Sequence, residues 1–466
     1  MLDTLRFHNF KSWRDTGEIR LAPITGFFGT NSSGKSSILQ LLLMLKQTVE
    51  SNDQQQVLHL GSDNTYVDLG TAYDILHQQT KDQDKTLGIN INWHLSKQES
   101  RPVLPVGTMK FPTGSDFTIP HFSDLIKRFI FNAEISIESE KISVRRFSYS
   151  YQYASELHQV GVAESTDSLA EQSYNLLQSG VPAKIVQGKR DELPPPKKFY
   201  DFPGDARLRF QAGEFLQALS LTLEQAFNQI NYLGPLREFP KRSYVWSGER
   251  PQDVGRRGEL AVAALLAAKK NDPDVEIKVA GWLKNLGLVA DFSVEPIAPH
   301  RRDYEVRIRS RANSKKSVLL TDVGFGVSQI LPVLVLCYYA PPGSTVILEQ
   351  PEIHLHPSVQ AGLADIFVEV ARERNLQIIV ESHSEHLLRR LQRRIAEGET
   401  IDHEQAALYF CDMDDTGTSH LTPLALDEFG NINNWPPHFF GDEMGDLVAM
   451  SEAALQRQMA GGGLEA

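Results

Sequence analysis

Residues Gly29-Thr-Asn-Ser-Ser-Gly34-Lys35-Ser36 follow the order G-x-x-x-x-G-K-[ST], and no other stretch limits the possible folds as tightly. Average residue usage allows on the order of 0.02 chance matches in a chain of this length. The pattern has a physical purpose in one setting, a buried strand before it and a helix after it whose first N–H groups face an anion. Ile24 to Phe28 supplies the strand. Ser36 to Val49, with Ile38, Leu39, Leu41, Leu42, Leu45 and Val49 at helical spacing, supplies the helix. The glycines let the loop turn its N–H groups inward. Gly29, Asn31, Ser32, Ser33, Gly34, Lys35, Ser36 and Ser37 are therefore read as a phosphate cradle for ATP. Lys35, expected to be exposed, reaches the β- and γ-phosphates, and Ser36 ligates Mg²⁺.

A chain of 466 residues is two domains, or one large domain with an insertion. Leu2 to Phe7 and Glu18 to Leu21 read as strands. From Leu87 to about Tyr153 the alternation predicts an antiparallel sheet. Residues 155–230 read as an inserted segment, two helical stretches around a proline-rich piece, because Pro194-Pro195-Pro196 cannot be helix. After Tyr232 helices and buried strands alternate. Helices are expected at Gly258–Lys270, Ser328–Tyr339, Ser358–Arg374 and Glu385–Glu397, and strands at Tyr304–Arg311, Thr345–Leu348 and Gln377–Val380, a mixed sheet covered by helices.

The strand from Thr345 ends in Glu349-Gln350-Pro351-Glu352, and a nucleotide-binding sheet places its second metal-directed group at such a strand end. Five stretches then follow one another: Leu5-Arg-Phe-His-Asn-Phe-Lys-Ser12, the phosphate loop, Asp322-Val-Gly-Phe-Gly-Val-Ser-Gln329, Glu349-Gln-Pro-Glu-Ile-His-Leu-His-Pro357 and Glu381-Ser-His-Ser-Glu-His386. In kind and order they resemble the ABC-type, AAA-family ATPases of the structural-maintenance, recombination-mediator and overcoming-lysogenization-defect group. Within that group the chain is similar to the compact ATPases of Septu-type antiphage systems.

The resemblance implies an α/β fold. It would be an ABC-type ATPase head with a mixed β-sheet core, flanking helices, an antiparallel β subdomain and an inserted helical segment. The head would be split between residues 1–154 and 231–466. It also implies a head-to-head homo-oligomer in which Gly326, Ser328 and Gln329 complete the ATP site of the partner copy. His383 would sense the γ-phosphate, Lys11 and Ser12 would flank the adenine, and Glu349 would hold Mg²⁺. A separately encoded effector, a nuclease, is the implied partner, with DNA as a further one. The alternative is a DNA-repair or chromosome-associated ATPase that clamps DNA on ATP binding.

The pair Glu349-Gln350 departs from the family's Asp-Glu. Gln350 can orient a water but cannot accept its proton, so hydrolysis is expected to be slow, with Glu352 as a substitute carboxylate. A transporter subunit would carry Leu-Ser-Gly-Gly-Gln, which this chain lacks.

Three further clusters receive plainer readings. Glu352, His354 and His356 lie between Pro351 and Pro357, which favours a loop over a metal site. Asp412, Asp414 and Asp415 precede Gly417 and read as a hairpin turn, so no nuclease chemistry is expected in this chain. Arg301, Arg302, Arg307, Arg309, Arg311, Lys315 and Lys316 read first as a solvated strand face, with a nucleic-acid groove as the alternative. A formal charge of -12 argues against a generally nucleic-acid-coating surface. Cys337 and Cys411 match no metal spacing and are expected to be free thiols. No apolar run reaches the ~18 residues of a membrane span, and a cytoplasmic protein without membrane contact is expected.

Overall fold

The computed structural model describes residues 1–78, 85–95, 108–110, 116–118, 128–138, 141–153, 156–165, 172–179, 192–209, 213–310, 313, 316–436, 439–440 and 443–461. In chain order, β1 (Leu2–Phe10), β2 (Trp13–Asp15), β3 (Ile19–Arg20) and β4 (Ile24–Gly29) lead into α1 (Lys35–Glu50). Next come β5 (Thr86–His94), β6 (Thr108–Lys110), β7 (Asp116–Thr118), β8 (Arg128–Glu138), β9 (Lys141–Tyr153), β10 (Glu156–Glu164) and β11 (Tyr174–Ser179). Helices α2 (Gly204–Arg209) and α3 (Gly213–Asn228) precede β12 (Ile230–Leu233) and β13 (Tyr244–Val245). They are followed by α4 (Ala261–Asn271), α5 (Asp274–Asn285), β14 (Asp291–Pro296), β15 (Asp303–Arg309) and β16 (Val318–Leu319). The remainder is α6 (Phe325–Tyr339), β17 (Thr345–Glu349), α7 (Pro357–Arg374), β18 (Gln377–Glu381), α8 (Glu385–Glu397), β19 (Ala406–Met413), β20 (Ser419–Pro423) and α9 (Glu443–Gly461).

These elements form a mixed α/β fold around a six-stranded sheet in the order β12-β17-β18-β4-β19-β20. All its pairings are parallel except β19 with β20. Parallel strands need both faces covered, and the side chains divide accordingly. Phe27, Ile347, Ile379, Ala407 and Tyr409 enter one core with α1 and α3. Ile24, Phe28, Val346, Leu348, Ile378 and Val380 enter another beneath α4 to α8. That period of two explains why these strands read as continuous apolar runs.

An antiparallel sheet runs β11-β10-β9-β8-β5-β1-β2, with β3 also on β1. Residues 155–230 correct the expectation of two flanking helical stretches. Their first part is β10 and β11, which extend this sheet through β9, and helix begins at Gly204. The physical reason is alternation: Leu157 is 65% exposed while Val160 and Val162 are buried, a pattern of period 2 that a helix cannot bury on one face. The proline run lies in neither helix nor strand, and Leu193 before it bridges to Tyr174.

Arginine-bearing β15 lies in a small sheet, β13-β15-β14, with β16 on its edge. Arg307 meets Glu305 at 2.6 Å and Arg309 meets Asp291 at 3.0 Å. Two of that strand's arginines are thus paired with carboxylates. Arg311 and Lys315 lie outside the described residues. Both cysteines are free and buried. Among the described residues, no helix is long and apolar enough to cross a membrane.

Candidate functional site

Strands β12, β17, β18 and β4 run parallel, so their carboxyl ends share one edge of the sheet, the edge where such sheets bind ligands. The phosphate loop leaves β4 there. Gly29 has φ 136°, and a Cβ on it would lie 2.0 Å from the Cys411 carbonyl oxygen. Gly34 has φ 89°, and a Cβ there would meet Ser419 Oγ at 2.4 Å and Ser12 Oγ at 2.7 Å. Both positions therefore require glycine. Trp13 Nε1 donates to the Gly34 carbonyl at 3.0 Å, and Ser419 Oγ donates to Ser12 Oγ at 2.7 Å. The β1–β2 turn and the β19–β20 hairpin thus brace the loop from outside.

The loop closes around Lys35. Its ammonium donates to the carbonyls of Thr30 at 2.5 Å and Gly29 at 3.2 Å, and to Ser33 Oγ at 3.4 Å. Lys35 is only 3% exposed, which corrects the expectation of an exposed side chain: backbone carbonyls of its own loop shield it. Burial pulls its pKa down, and Glu381, Cys411 and Glu352 pull it back up.

Beside the loop lies a cleft of 340 Å³. Lys11, Ser12, Asn31, Ser32, Ser33, Gly34, Lys35, Ser36, Ser37, Gln350 and His383 all line it. Gln40, Glu381 and Met413 line it too and were not singled out from the sequence. A larger hollow of 530 Å³ lies over the antiparallel sheet against Arg6, Asn90, Asn132 and Arg146. It holds none of the anticipated site residues, and its two arginines pair with Asp15 and Glu134.

Gln350 stands just past β17 with φ 43°, a conformation costing about 1–3 kcal/mol in a non-glycine residue. Its N–H donates to the Glu381 carbonyl at 2.8 Å, which holds the turn and leaves the side chain at the cleft. Ser36 Oγ donates to Glu381 Oε1 at 2.9 Å. Burial raises the Glu381 carboxyl above its ordinary range, while Ser36, Lys35 and Gln350 oppose the shift. His383 donates its backbone N–H to Glu352 Oε1 at 2.6 Å. Burial, then Lys35, lower the His383 pKa, which favours the neutral ring.

Other anticipated residues do not line this cleft. Glu349 accepts from the Tyr232 hydroxyl at 3.0 Å and Glu352 sits behind His383, both buried. Gly326, Ser328 and Gln329 lie at the start of α6, where Ser328 Oγ donates to its own helix at Phe325. Buried Arg237 was also missed. Its Nε and Nη1 meet no partner among the described residues. Burial lowers its guanidinium to about 10, and Tyr232, Glu349 and Glu352 pull against that shift. The available signal was its place in the loop after β12, at the ligand edge of the sheet. Asp414 accepts from Thr416, Thr418 and His420 and so organises the β19–β20 turn. Among the described residues no three His, Cys, Asp or Glu side chains form a metal-holding group.

Mg²⁺ fits this donor set in the form it takes with nucleotides, few protein oxygens plus phosphates and water. Ser36 offers a hydroxyl, and buried Glu381 Oε2 meets no partner among the described residues.

Glu349 gives the protein a pH signature. Burial first, then Glu381, push its carboxyl up to about 7, against Tyr232 and Arg237. The folded chain therefore binds this proton more tightly than the unfolded chain, whose Glu titrates near ~4.3. Stability falls as pH rises between those values and stays lowered above them. Glu352 and Glu381 shift in the same direction. Urea unfolding of Glu349→Gln should lose about 1–3 kcal/mol less between pH 5 and pH 8 than the unmodified protein. An identical pH slope in both would show that this carboxyl is not shifted.

Three known families match separate parts of the chain. A family described as "AAA ATPase domain" matches residues 1–181. One described as "AAA domain, putative AbiEii toxin, Type IV TA system" matches 253–389. A "Protein of unknown function (DUF3696)" matches 401–450. No curated protein matches the chain in sequence. Similar solved structures include an SMC head bound to the C-terminal winged-helix domain of ScpA, at 12% identity, 91% of this chain, 98% of that one and TM-score 0.43. The SMC head domain from Thermotoga maritima gives 12%, 91%, 99% and 0.39. An SMC head from Pyrococcus furiosus with an extended coiled coil, bound to the C-terminal domain of ScpA, gives 12%, 91%, 96% and 0.42. At these scores the likeness is one of general course. The phosphate loop falls in one ATPase match, and the stretch from α6 through β17 to His383 falls in another, so two separate parts of the chain are each similar to ATPase domains of the AAA type.

Proposed function

We propose that the chain is a nucleotide-operated switch. It binds ATP with Mg²⁺ in the 340 Å³ cleft, hydrolyses it slowly, and passes the nucleotide state to a separately encoded effector. The observation that carries this reading is the convergence of Lys35, Ser36, Gln350 and His383 on that one cleft. Bound Mg²⁺ supplies charge neutralisation at the phosphate oxygens. Lys35 exchanges its loop carbonyls for phosphate oxygens, the loop N–H groups and the start of α1 hold the anion, and Gln350 orients the attacking water. Neutral His383 stands at the γ-phosphate end.

A second copy completes the site. Within one chain the start of α6 is not on the cleft, yet Gly326 is only half-buried there, beside Phe325 and Phe239, which are 60% and 70% exposed with rings 6.4 Å apart. The effector reading draws on the similarity to Septu-type ATPases such as PtuA, and on the toxin–antitoxin wording of the family matched at 253–389. We assign the nuclease step to that effector rather than to this chain, since Asp414 is engaged in its own turn. A DNA-clamping role in repair or chromosome maintenance is the second reading. The arginines of β15 would serve it, and their carboxylate partners weigh against it.

Complementation tests the two-chain site. A Cβ on Gly326 meets nothing nearer than Leu288 Cδ2 at 3.8 Å, so Gly326→Arg blocks the surface without disturbing the core. Lys35→Ala and Gly326→Arg should each lack ATPase activity, and their mixture should recover up to about a quarter of the activity by forming one intact site. An inactive mixture whose subunits demonstrably exchange would refute the shared site.

A further inference from the structure

We propose that Glu381, rather than Glu349, is the carboxylate that fixes the metal-binding hydroxyl of the phosphate loop. This assignment rests on the ATP–Mg²⁺ reading of the cleft. The pattern at the end of β17 points to Glu349, but the sheet order inserts β18 between β17 and β4. Glu349 and Glu381 stand level in register. Glu381 is therefore one strand spacing from the phosphate-loop strand, about 4.8 Å, and Glu349 is two, about 9.6 Å.

The side chains agree with this placement. Glu381 is 2% exposed, lines the cleft and takes the Ser36 hydroxyl at 2.9 Å. Its Oε2 meets no partner among the described residues. Glu349 is off the cleft and takes the Tyr232 hydroxyl instead. The strained Gln350 turn is fastened to the Glu381 carbonyl, so water-directed amide and metal-directed carboxylate are held by one residue.

The chemistry follows from the direction of the hydrogen bond. A carboxylate accepting from Ser36 leaves the serine oxygen's lone pairs aimed into the cleft and strengthens that oxygen as a ligand, as groups behind a metal ligand do. Glu381 is on this account a positioning residue, with Oε2 placed to accept from metal-bound water.

Equilibrium binding of a fluorescent, non-hydrolysable ATP analogue to the full chain, in Mg²⁺ and in EDTA, tests the assignment. In Glu381→Gln the affinity gained from Mg²⁺ should fall roughly 10- to 100-fold, while binding in EDTA stays equal or tightens because a negative charge near the phosphates is gone. Glu381→Asp, which retracts the carboxylate by one methylene, should lose part of the gain. With Mn²⁺ in place of Mg²⁺, the paramagnetic resonance spectrum of the analogue complex should change in Glu381→Gln and not in Glu349→Gln. A Mg²⁺ gain retained in Glu381→Gln and lost in Glu349→Gln would overturn the assignment and return the role to Glu349. If the unmodified protein bound no analogue at all, the nucleotide reading of the cleft would fall first, and this inference with it.

Discussion

Lys35→Ala should abolish nucleotide binding at concentrations that saturate the unmodified protein. Removing one partner of a buried charge interaction costs about 2–5 kcal/mol, which is roughly 30- to 4,000-fold in affinity. The fold should survive. In the folded chain the ammonium serves the Thr30 and Gly29 carbonyls and Ser33 Oγ, so its loss frees acceptors that water can reach from the cleft. Loss of those bonds, about 1 kcal/mol each, is offset by relief of a buried cation. The unfolding midpoint should therefore stay near that of the unmodified protein while fluorescent-ATP binding disappears. Undiminished binding by well-folded Lys35→Ala would end the phosphate-loop reading.

Gln350→Glu should accelerate the chemical step. Gln350 stands at the cleft where a general base belongs, and its amide can orient water without taking the proton. A positioned base contributes about 10²–10⁴-fold. Part of that will be withheld because the new carboxylate lies close to Glu381, where like charge raises its pKa and leaves less of it deprotonated to accept the proton. Single-turnover hydrolysis should still rise by at least about tenfold. Glu352→Gln should change the rate little, since the Glu352 carboxylate is buried away from the cleft and is used by the His383 N–H, a bond that a glutamine oxygen can also accept. If Glu352→Gln abolished hydrolysis and Gln350→Glu changed nothing, Glu352 would be the base. Rapid turnover by the unmodified protein, insensitive to both changes, would refute slow hydrolysis altogether.

The phosphate loop was legible because its requirements are local. A lysine, a hydroxyl and two glycines at set spacing generate the turn within a few residues of chain, and the structure shows why each glycine is obligatory. The buried runs at β4, β17 and β18 were equally legible, since a parallel strand covered on both faces needs apolar residues throughout. The start of the 155–230 segment was misread because Leu157, Val160 and Val162 are few and short-ranged. Whether such a run is helix or strand was decided jointly by that alternation and by the edge of β9, which ends just before it and turns back on it with Tyr153 opposite Glu156.

The same division separates the two kinds of site residue. Local sequence determined the phosphate cradle, the end of β17 and the positions of Gln350 and His383, because these depend on backbone geometry set by neighbours in the chain. Tertiary structure alone decided which carboxylate meets Ser36. Glu349 and Glu381 end two similar apolar strands and differ little in local pattern, but hydrogen bonding between strands put β18 next to β4 and β17 one place further out. The place of the Arg237 guanidinium near Glu349 and Glu352 was decided in the same way, by which loops the parallel strands bring to their common edge.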